Sequence, residues 1–357
     1  MPQPRSGIRD LVRISTPQSG RYERLRLDKN ENISGFSPEI IQEMLSNVSP
    51  HFLAAYPEPG VLYQKIAKKH DLPESHVLVT AGSEMAIRYV FETYLDKGDE
   101  VVFLDPSFAM FEVFANICGA TSVRIPFGPN LSLSVDDIVA AIGPKTKIVA
   151  IANPNNPTGT VLSETDLLRL AEHCEKYDVL FLVDEAYFYF HPETMFPHLK
   201  RFKNMVVTRT FSKALGLASI RLGYALGSPE ILSFVAKLQP IDHCNAFALK
   251  LGEYILDHEN LIGDYVNQVE EGKDLVVAQL SRLGVRTFPT AANFLLIDLG
   301  NAPTKSRILA ACSQAGILLG THIRLPFENQ FVRISLGPRE AMERLLKVLE
   351  PELPPVR

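Results

Sequence analysis

Cysteine is scarce and basic residues are not in excess in this sequence of 357 residues. The four cysteines, Cys118, Cys174, Cys244 and Cys312, form no C-x-x-C pair, which argues against a zinc ribbon or a dithiol redox site. Lysine and arginine number 36 against 41 acidic residues, giving a net charge of −5, so we expect no nucleic-acid partner. The cysteines are predicted to be buried thiols in a reducing cytoplasm.

Long apolar runs are also missing. None approaches the roughly 20 residues that span a bilayer, and residues 1–13 have no apolar core of a signal peptide, so we expect a cytoplasmic protein with no membrane partner. The nine histidines show no metal-ligand spacing, and we predict no metal site. No G-x-G-x-x-G follows the first strand of the main series, which argues against a nicotinamide dehydrogenase.

What the sequence does contain is a series of short apolar strands that alternate with helices. This pattern predicts an α/β fold in which helices cover both faces of a mainly parallel sheet. We predict an N-terminal arm over 1–32, a large domain over 33–256 and a small α+β domain over 257–357, joined by one long helix near 240–280. The predicted strands cover residues 76–80, 100–104, 122–126, 147–152, 179–183, 205–208, 220–226, 294–297, 317–319 and 331–335.

Polar residues follow these strands at the sheet edge where open α/β folds bind ligands. Asp184 follows a buried strand, and such a carboxylate needs a charged or protonated partner, although a helix cap or an ion pair would also explain it. Lys213 follows another strand, where a desolvated amine can act as a nucleophile, although a solvated lysine is the alternative. The turn 153–159 contains two prolines and holds the amide of Asn156 in one direction.

A second group of strand-end residues suits a phosphate dianion. Gly82 and Ser83 stand between a strand and a helix, where main-chain N–H groups bind anions. Thr210, Ser212 and Arg221 add two hydroxyls and a guanidinium. A phosphate site, a buried aspartate and a nucleophilic lysine together are the groups that hold pyridoxal phosphate, with the lysine forming a Schiff base and the aspartate pairing with the ring nitrogen.

Several strings in order carry a family resemblance over nearly the whole chain. They are Asn-Pro-Asn-Asn-Pro-Thr-Gly at 153–159, Asp-Glu-Ala-Tyr at 184–187, Arg-Thr-Phe-Ser-Lys-Ala at 209–214, Arg-Leu-Gly at 221–223, Leu-Asp-Lys-Asn-Glu-Asn at 27–32, Tyr-Pro at 56–57, Ala-Asn-Phe at 292–294 and Val-Arg-Ile-Ser at 332–335. The sequence resembles class I/II aminotransferases of fold type I that depend on pyridoxal 5'-phosphate. Within them it is most similar to the histidinol-phosphate aminotransferase branch.

The resemblance implies a role for each matching residue. Lys213 forms the Schiff base and Asp184 holds the ring nitrogen protonated, while Tyr187 and Asn156 bind the phenolic oxygen of the cofactor. Phe108 stacks on the ring, and Arg333, with Asn156 and Asn30, binds the substrate. The phosphate-binding residues are Gly82, Ser83, Thr210, Ser212, Arg221 and Tyr56, the last of which reaches the site of a neighbouring subunit, so that a homodimer with shared active sites is expected.

The implied activity moves an amino group from a small-molecule amino donor to a 2-oxo acid acceptor. The sequence departs from the branch at Gly320, which follows Gly-Ile-Leu-Leu at 316–319 where an arginine commonly contacts the substrate phosphate, and at Gln18 in the arm. His322 and Arg324 lie nearby and could compensate. We therefore expect a substrate other than histidinol phosphate.

Two further interpretations remain open at this point. Decarboxylation, elimination, replacement or cyclisation of an amino acid would use the same cofactor residues, because sequence does not show which Cα bond lies perpendicular to the ring. A regulator that binds the cofactor without catalysis is disfavoured, since Lys213, Asp184 and Arg221 are all present and neither end carries a basic DNA-binding segment.

Overall fold

The computed structural model describes residues 2, 6–9, 11, 19–46, 48–320 and 330–353. In chain order its strands are β1 (Leu25–Leu27), β2 (Val77–Thr80), β3 (Glu100–Asp105), β4 (Thr121–Pro126), β5 (Thr146–Ala152), β6 (Leu180–Asp184), β7 (Met205–Thr210), β8 (Gly223–Gly227), β9 (Arg286–Thr287), β10 (Phe294–Asp298), β11 (Ile317–Leu319) and β12 (Phe331–Ser335). The α-helices are α1 (Ser6–Arg9), α2 (Pro38–Met44), α3 (Gly60–Lys69), α4 (Ser83–Tyr94), α5 (Met110–Cys118), α6 (Val135–Ala140), α7 (Glu164–Lys176), α8 (Pro229–Val235), α9 (Ala246–Asp257), α10 (Asn260–Arg282), α11 (Ala302–Gln314) and α12 (Arg339–Leu349).

A seven-stranded sheet with the order β2-β8-β7-β6-β5-β3-β4 organises the larger part of the chain. Strands β3 to β7 pair in parallel, while β8 runs antiparallel to both β7 and β2, so the predicted α/β class and mainly parallel sheet are confirmed. Alternate residues of β6 enter different cores: Phe181 packs in one hydrophobic cluster and Leu182 in another on the opposite face. Continuous apolar strands therefore result from burial on both faces.

The C-terminal part has its own core. Strands β12, β10 and β9 form an antiparallel sheet, and Val276 of α10, Ile297 of β10 and Leu346 of α12 share one buried cluster. Leu27, from the predicted arm, is fully buried in that same cluster. The proposed boundaries between arm, large domain and small domain stay a prediction.

One strand was missed, and two predictions about elements were wrong. The arm contains β1, which pairs in parallel with β11, and three residues are too few for a period to show in the sequence. The single long helix near 240–280 is two helices, because the backbone leaves helical angles at His258 (φ −122°, ψ 55°). The strand predicted over 220–226 begins only at Gly223, since Arg221 has a φ of 55°, which a strand does not accept.

These elements bring the strand ends of the large sheet together. Asp184 at the end of β6 is in register with Ala152 of β5 and with Thr208 of β7. Because parallel strands end at the same edge, the segments after β5, β6 and β7 converge on one place.

Candidate active site

A cavity of about 130 Å³ lies at the carboxyl ends of the parallel strands. It is lined by Ser83, Glu84, Phe108, Ala152, Asn156, Asp184, Ala186, Tyr187, Thr210, Ser212, Lys213 and Arg221. Nine of these residues are among those selected from the sequence. Glu84, Ala152 and Ala186 were missed. Each is a sequence neighbour of a residue or turn that was selected, and this adjacency is the only sign of them in the sequence.

Asp184 is a buried carboxylate with little to balance its charge. It is 5% exposed, and its Oδ1 accepts a hydrogen bond of 2.7 Å from the hydroxyl of Thr208. Burial raises the pKa of Asp184 to about 6, and the Thr208 bond opposes that rise. In the described part of the chain Asp184 forms no ion pair, so a cationic group placed in the cavity would relieve the cost of its burial.

Lys213 presents its amine to the same cavity. Its Nζ donates a hydrogen bond of 2.8 Å to the main-chain oxygen of Lys29. Burial, with a further contribution from the positive charge of Arg333, lowers the pKa of Lys213 to about 8. An amine with such a pKa is unprotonated in part of the molecules near neutral pH, which a nucleophile requires.

An anion cradle is built where β2 leads into α4. Gly82 precedes the first residue of α4 and has a φ of 87°, a left-handed angle that favours glycine. A Cβ at Gly82 would lie 3.0 Å from Nη2 of Arg221, so the absence of a side chain leaves room for the guanidinium. Arg221 also donates from Nη1 to Ser212 Oγ at 3.2 Å, and the Ser212 N–H donates to Thr210 Oγ1 at 3.1 Å.

Helix α4 has 12 residues and directs its N-terminus at this cradle, with Ser83 at the wall of the cavity. Helix N-termini favour anions, and guanidinium and hydroxyl groups form strong hydrogen bonds with phosphate oxygens. The charges and donors present therefore fit a phosphorylated ligand that also carries a cationic ring nitrogen.

Arg333 approaches the cavity from β12. Its Nη1 donates to Asn156 Oδ1 at 2.5 Å, and its Nη2 donates to the main-chain oxygen of Asp28 at 2.5 Å. The Nε atom is buried and has no hydrogen-bond partner among the described residues. The Arg333 guanidinium, with an unused N–H group and next to Asn156 of the cavity wall, can bind a planar anion such as a carboxylate.

Tyr187 and Asn30 form a contact that the sequence does not indicate. Tyr187 is 4% exposed, lines the cavity, and has its pKa raised to about 12 by burial. The amide nitrogen of Asn30 donates a hydrogen bond of 2.8 Å to its hydroxyl. Asn30 is not among the residues of the cavity wall, so its direct contact with a substrate stays a prediction.

The remaining candidates lie away from this cavity or outside the described residues. Tyr56 is 83% exposed and does not line the cavity, and its expected contact with a neighbouring subunit stays a prediction. His322 and Arg324 lie outside the described residues. Gly320 is buried and its main chain pairs with that of Arg333.

Sequence reasoning also missed an ion pair that supports the segment after β6. Arg209 donates from Nη2 and Nε to Glu185 Oε2 at 2.8 and 3.0 Å, and both side chains are buried. Glu185 accepts further bonds from Thr194 and from the main chain of Met195. Both charged residues stand next to selected positions in the strings 184–187 and 209–214, which was the available signal.

Neither a metal-binding group nor a membrane span is found in the part of the chain that the structure describes. No cluster of three or more His, Cys, Asp or Glu side chains there could hold a metal ion. None of the helices described is both long and apolar enough to cross a bilayer.

Comparison with known proteins gives consistent matches along the chain. The sequence model of the family "Aminotransferase class I and II" matches residues 23–349. A histidinol-phosphate aminotransferase of Caldanaerobacter subterraneus subsp. tengcongensis is 29% identical over 352 residues, which cover 96% of this chain and 98% of that protein. Histidinol-phosphate aminotransferase 2 of Bacillus cereus is 32% identical over 338 residues, covering 93% of this chain and 88% of that protein.

Solved structures match the fold at lower identity. The histidinol-phosphate aminotransferase of Sinorhizobium meliloti, in complex with pyridoxal-5'-phosphate, has a TM-score of 0.84 and 22% identity, covering 92% of this chain and 90% of that chain. Aspartate aminotransferase of Thermus thermophilus with maleate has a TM-score of 0.79 and 22% identity, covering 92% of each chain. The predicted fold of type I is thereby confirmed.

Proposed function

This chain belongs to the aminotransferase class I and II family, and we propose that it moves an amino group between a 2-oxo acid and an amino acid other than histidinol phosphate. It is an aminotransferase that uses pyridoxal 5'-phosphate, and the family match favours this reaction over decarboxylation or elimination. The observation that carries the proposal is the pairing of a buried carboxylate, Asp184, with a low-pKa amine, Lys213, in one cavity that also has an anion cradle.

The residues of the cavity suit the parts of this cofactor. We assign its phosphate to Gly82, Ser83, Thr210, Ser212 and Arg221, on the basis of the helix N-terminus, hydroxyls and guanidinium found together there. Phe108 supplies an aromatic face in the cavity wall. When bound, the cofactor withdraws electrons from the Cα atom of the substrate, which makes the Cα proton acidic.

The protein side chains then bind the substrate and move its proton. Arg333 binds the α-carboxylate through its guanidinium, with Asn156 holding the Nη1 side of that group in place. Asp184, held by Thr208, keeps the cofactor ring nitrogen protonated. Lys213 removes the proton from Cα and returns it to the cofactor carbon that is bonded to the transferred nitrogen. The lowered pKa of Lys213 suits an amine that must both accept and release a proton.

The choice of substrate rests on Gly320. A Cβ at this position would lie 3.3 Å from Nη2 and 3.4 Å from Nε of Arg333, so a side chain there would stand beside the carboxylate-binding group. In the branch that the chain resembles, the corresponding arginine contacts a substrate phosphate. With glycine at position 320, a substrate phosphate would lack this strong hydrogen-bond donor, which supports a substrate that carries no phosphate.

We also propose a homodimeric enzyme of amino-acid biosynthesis in the cytoplasm. Support for the dimer comes from Tyr56, an aromatic side chain that is 83% exposed and carries the family string Tyr-Pro. Tyr56 is predicted to bind the cofactor phosphate, but it does not line the cavity of its own chain, so a second chain would have to supply it.

Two measurements test the function. Purified apoprotein is mixed with pyridoxal 5'-phosphate, reduced with borohydride and digested, and we expect a cofactor adduct at Lys213 that the Lys213→Ala variant lacks. A kinetic panel then compares histidinol phosphate with unphosphorylated amino acids, using 2-oxoglutarate as acceptor. We expect higher kcat/KM for one of the unphosphorylated donors, and a clear preference for histidinol phosphate would contradict the proposed substrate class.

A further inference from the structure

The orientation of the Asn30 amide is fixed by its neighbours. The main-chain N–H of Asn30 donates to Ser335 Oγ at 2.9 Å, and Ser335 Oγ lies 3.1 Å from Asn30 Oδ1. An amide oxygen can only accept, so in this contact the Ser335 hydroxyl donates its single hydrogen to Asn30 Oδ1, while a lone pair of the same hydroxyl accepts from the main chain. The amide oxygen is therefore engaged by Ser335, and the amide nitrogen is the end that faces Tyr187.

This orientation determines the direction of the next hydrogen bond. The amide nitrogen can only donate, so the Tyr187 hydroxyl is the acceptor in the 2.8 Å bond from Asn30. The single hydrogen of the Tyr187 hydroxyl is not used in that bond and remains available to an acceptor inside the cavity that Tyr187 lines. Asn30 and Ser335 are 1% and 0% exposed, so little water competes for these bonds.

We propose that Asn30 is a positioning residue that aims the Tyr187 hydroxyl hydrogen at the phenolic oxygen of pyridoxal 5'-phosphate. The inference rests on the proposed function, because it uses the contact between Tyr187 and that oxygen. Ser335 orients the amide of Asn30, and the amide nitrogen of Asn30 donates to a lone pair of the Tyr187 hydroxyl. The hydrogen of that hydroxyl is then directed into the cavity as a donor. A hydrogen bond to the phenolic oxygen favours its anionic form, which lowers the pH at which the bound cofactor releases its titratable proton.

The test is a pH titration of the absorbance of the bound cofactor in variants at three positions. Asn30→Gly removes the amide, and glycine accepts the left-handed φ of 57° at this position. Tyr187→Phe removes the hydroxyl, and the double variant completes a cycle. Asn293→Ala is the matched control, because Asn293 donates to the main-chain oxygen of Asn30 at 3.1 Å and does not engage the amide.

We expect Tyr187→Phe to raise the midpoint of the absorbance change by about one pH unit, the size of one hydrogen bond to a charged group. Asn30→Gly should raise it by about half as much, and should add nothing in the Tyr187→Phe background. Asn293→Ala should leave the midpoint unchanged, although each of the three single variants should lower the unfolding temperature of the apoprotein by removing a buried hydrogen bond. Should Asn30→Gly fold poorly, Ser335→Ala tests the same chain of bonds, with a shift of the same sign.

Several results would overturn the inference. One is a midpoint in Asn30→Gly equal to that of the wild type while Tyr187→Phe moves it. Another is an equal shift by Asn30→Gly with and without the Tyr187 hydroxyl. A raised KM for the donor with an unchanged midpoint would make Asn30 a substrate contact instead. A wild-type protein that takes up no cofactor would refute the proposed function itself, and is thereby distinguished from these outcomes.

Discussion

Replacing Asp184 by asparagine should stabilise the apoprotein while it abolishes most of the activity. The pKa of Asp184 is raised from 3.8 to about 6, mainly by burial, so its charged form is disfavoured in the folded state. Because the pKa is higher in the folded state, protonation of Asp184 favours folding: this contribution is complete below pH 3.8 and is lost as the pH rises through about 6. Above that pH the charge costs about 3 kcal/mol of folding free energy.

Asp184→Asn removes this charge and can keep its oxygen as the acceptor for Thr208. Urea unfolding of the apoprotein should show a gain of about 1.5 kcal/mol at pH 5 that grows to about 3 kcal/mol at pH 8. Asp178→Asn is the control, since Asp178 is exposed and its φ of 56° also suits asparagine; its effect should stay within about 0.5 kcal/mol. A gain at Asp184 that does not depend on pH, or a loss of stability at pH 8, would refute the reasoning.

Asp184→Asn should lose its gain in stability when the cofactor is bound, and it should also lose activity. A cationic ring nitrogen bound beside this carboxylate would be stabilised by roughly 4 kcal/mol, the energy of two unit charges about 4 Å apart at an effective dielectric constant near 20. Without that charge the ring would not stay protonated to withdraw electrons from Cα, so we expect kcat to fall about 10³-fold. Single-turnover spectra of the variant against the wild type measure that decrease. An active Asp184→Asn enzyme would show that this carboxylate does not act on the cofactor.

Three further substitutions test the surroundings of the cavity. Gly82→Ala crowds the guanidinium that faces it and should weaken cofactor binding by at least about tenfold in an equilibrium titration, whereas Gly98→Ala, with a φ of 96° and nothing within 4 Å, controls for backbone strain alone. Arg209→Met leaves Glu185 buried without its partner, and urea unfolding should show a loss of about 3 kcal/mol; an unchanged midpoint would argue against the ion pair. Arg333→Met should raise KM for the amino donor roughly 100-fold with a smaller change in kcat, and equal losses in both would contradict a role in carboxylate binding.

The sequence was most informative where chemistry and local structure coincide. Asp184 and Lys213 each follow a short apolar strand, and the rule that parallel strands end at one edge brings these two together without any knowledge of coordinates. Arg221 joins them because it precedes β8, which runs antiparallel to β7 and begins at the edge where β7 ends. The sheet itself was predictable for the same reason, because burial on both faces leaves continuous apolar runs that end in polar residues.

What could not be predicted depends on contacts between distant segments. Strand β1 exists because β11 pairs with it, and Leu25–Leu27 carries no signal of that partner. Asn30 and Tyr187 are separated by 157 positions, and a string match assigns each a role without showing that they touch. The break between α9 and α10 depends on the backbone angles of one residue, His258, in an otherwise helical pattern.

The bonds between Asn30 and Ser335 have a consequence for how this enzyme is made. The two residues are 305 positions apart, so during synthesis on a ribosome the first of them leaves the exit tunnel long before the second is added. The large sheet, with its cysteine-poor core, can form on the nascent chain, since domains generally fold as units from the N-terminus. All the residues that line the cavity, from Ser83 to Arg221, are therefore in place before Ser335 is added, and the hydrogen bonds that orient Asn30 form last, when translation has nearly ended.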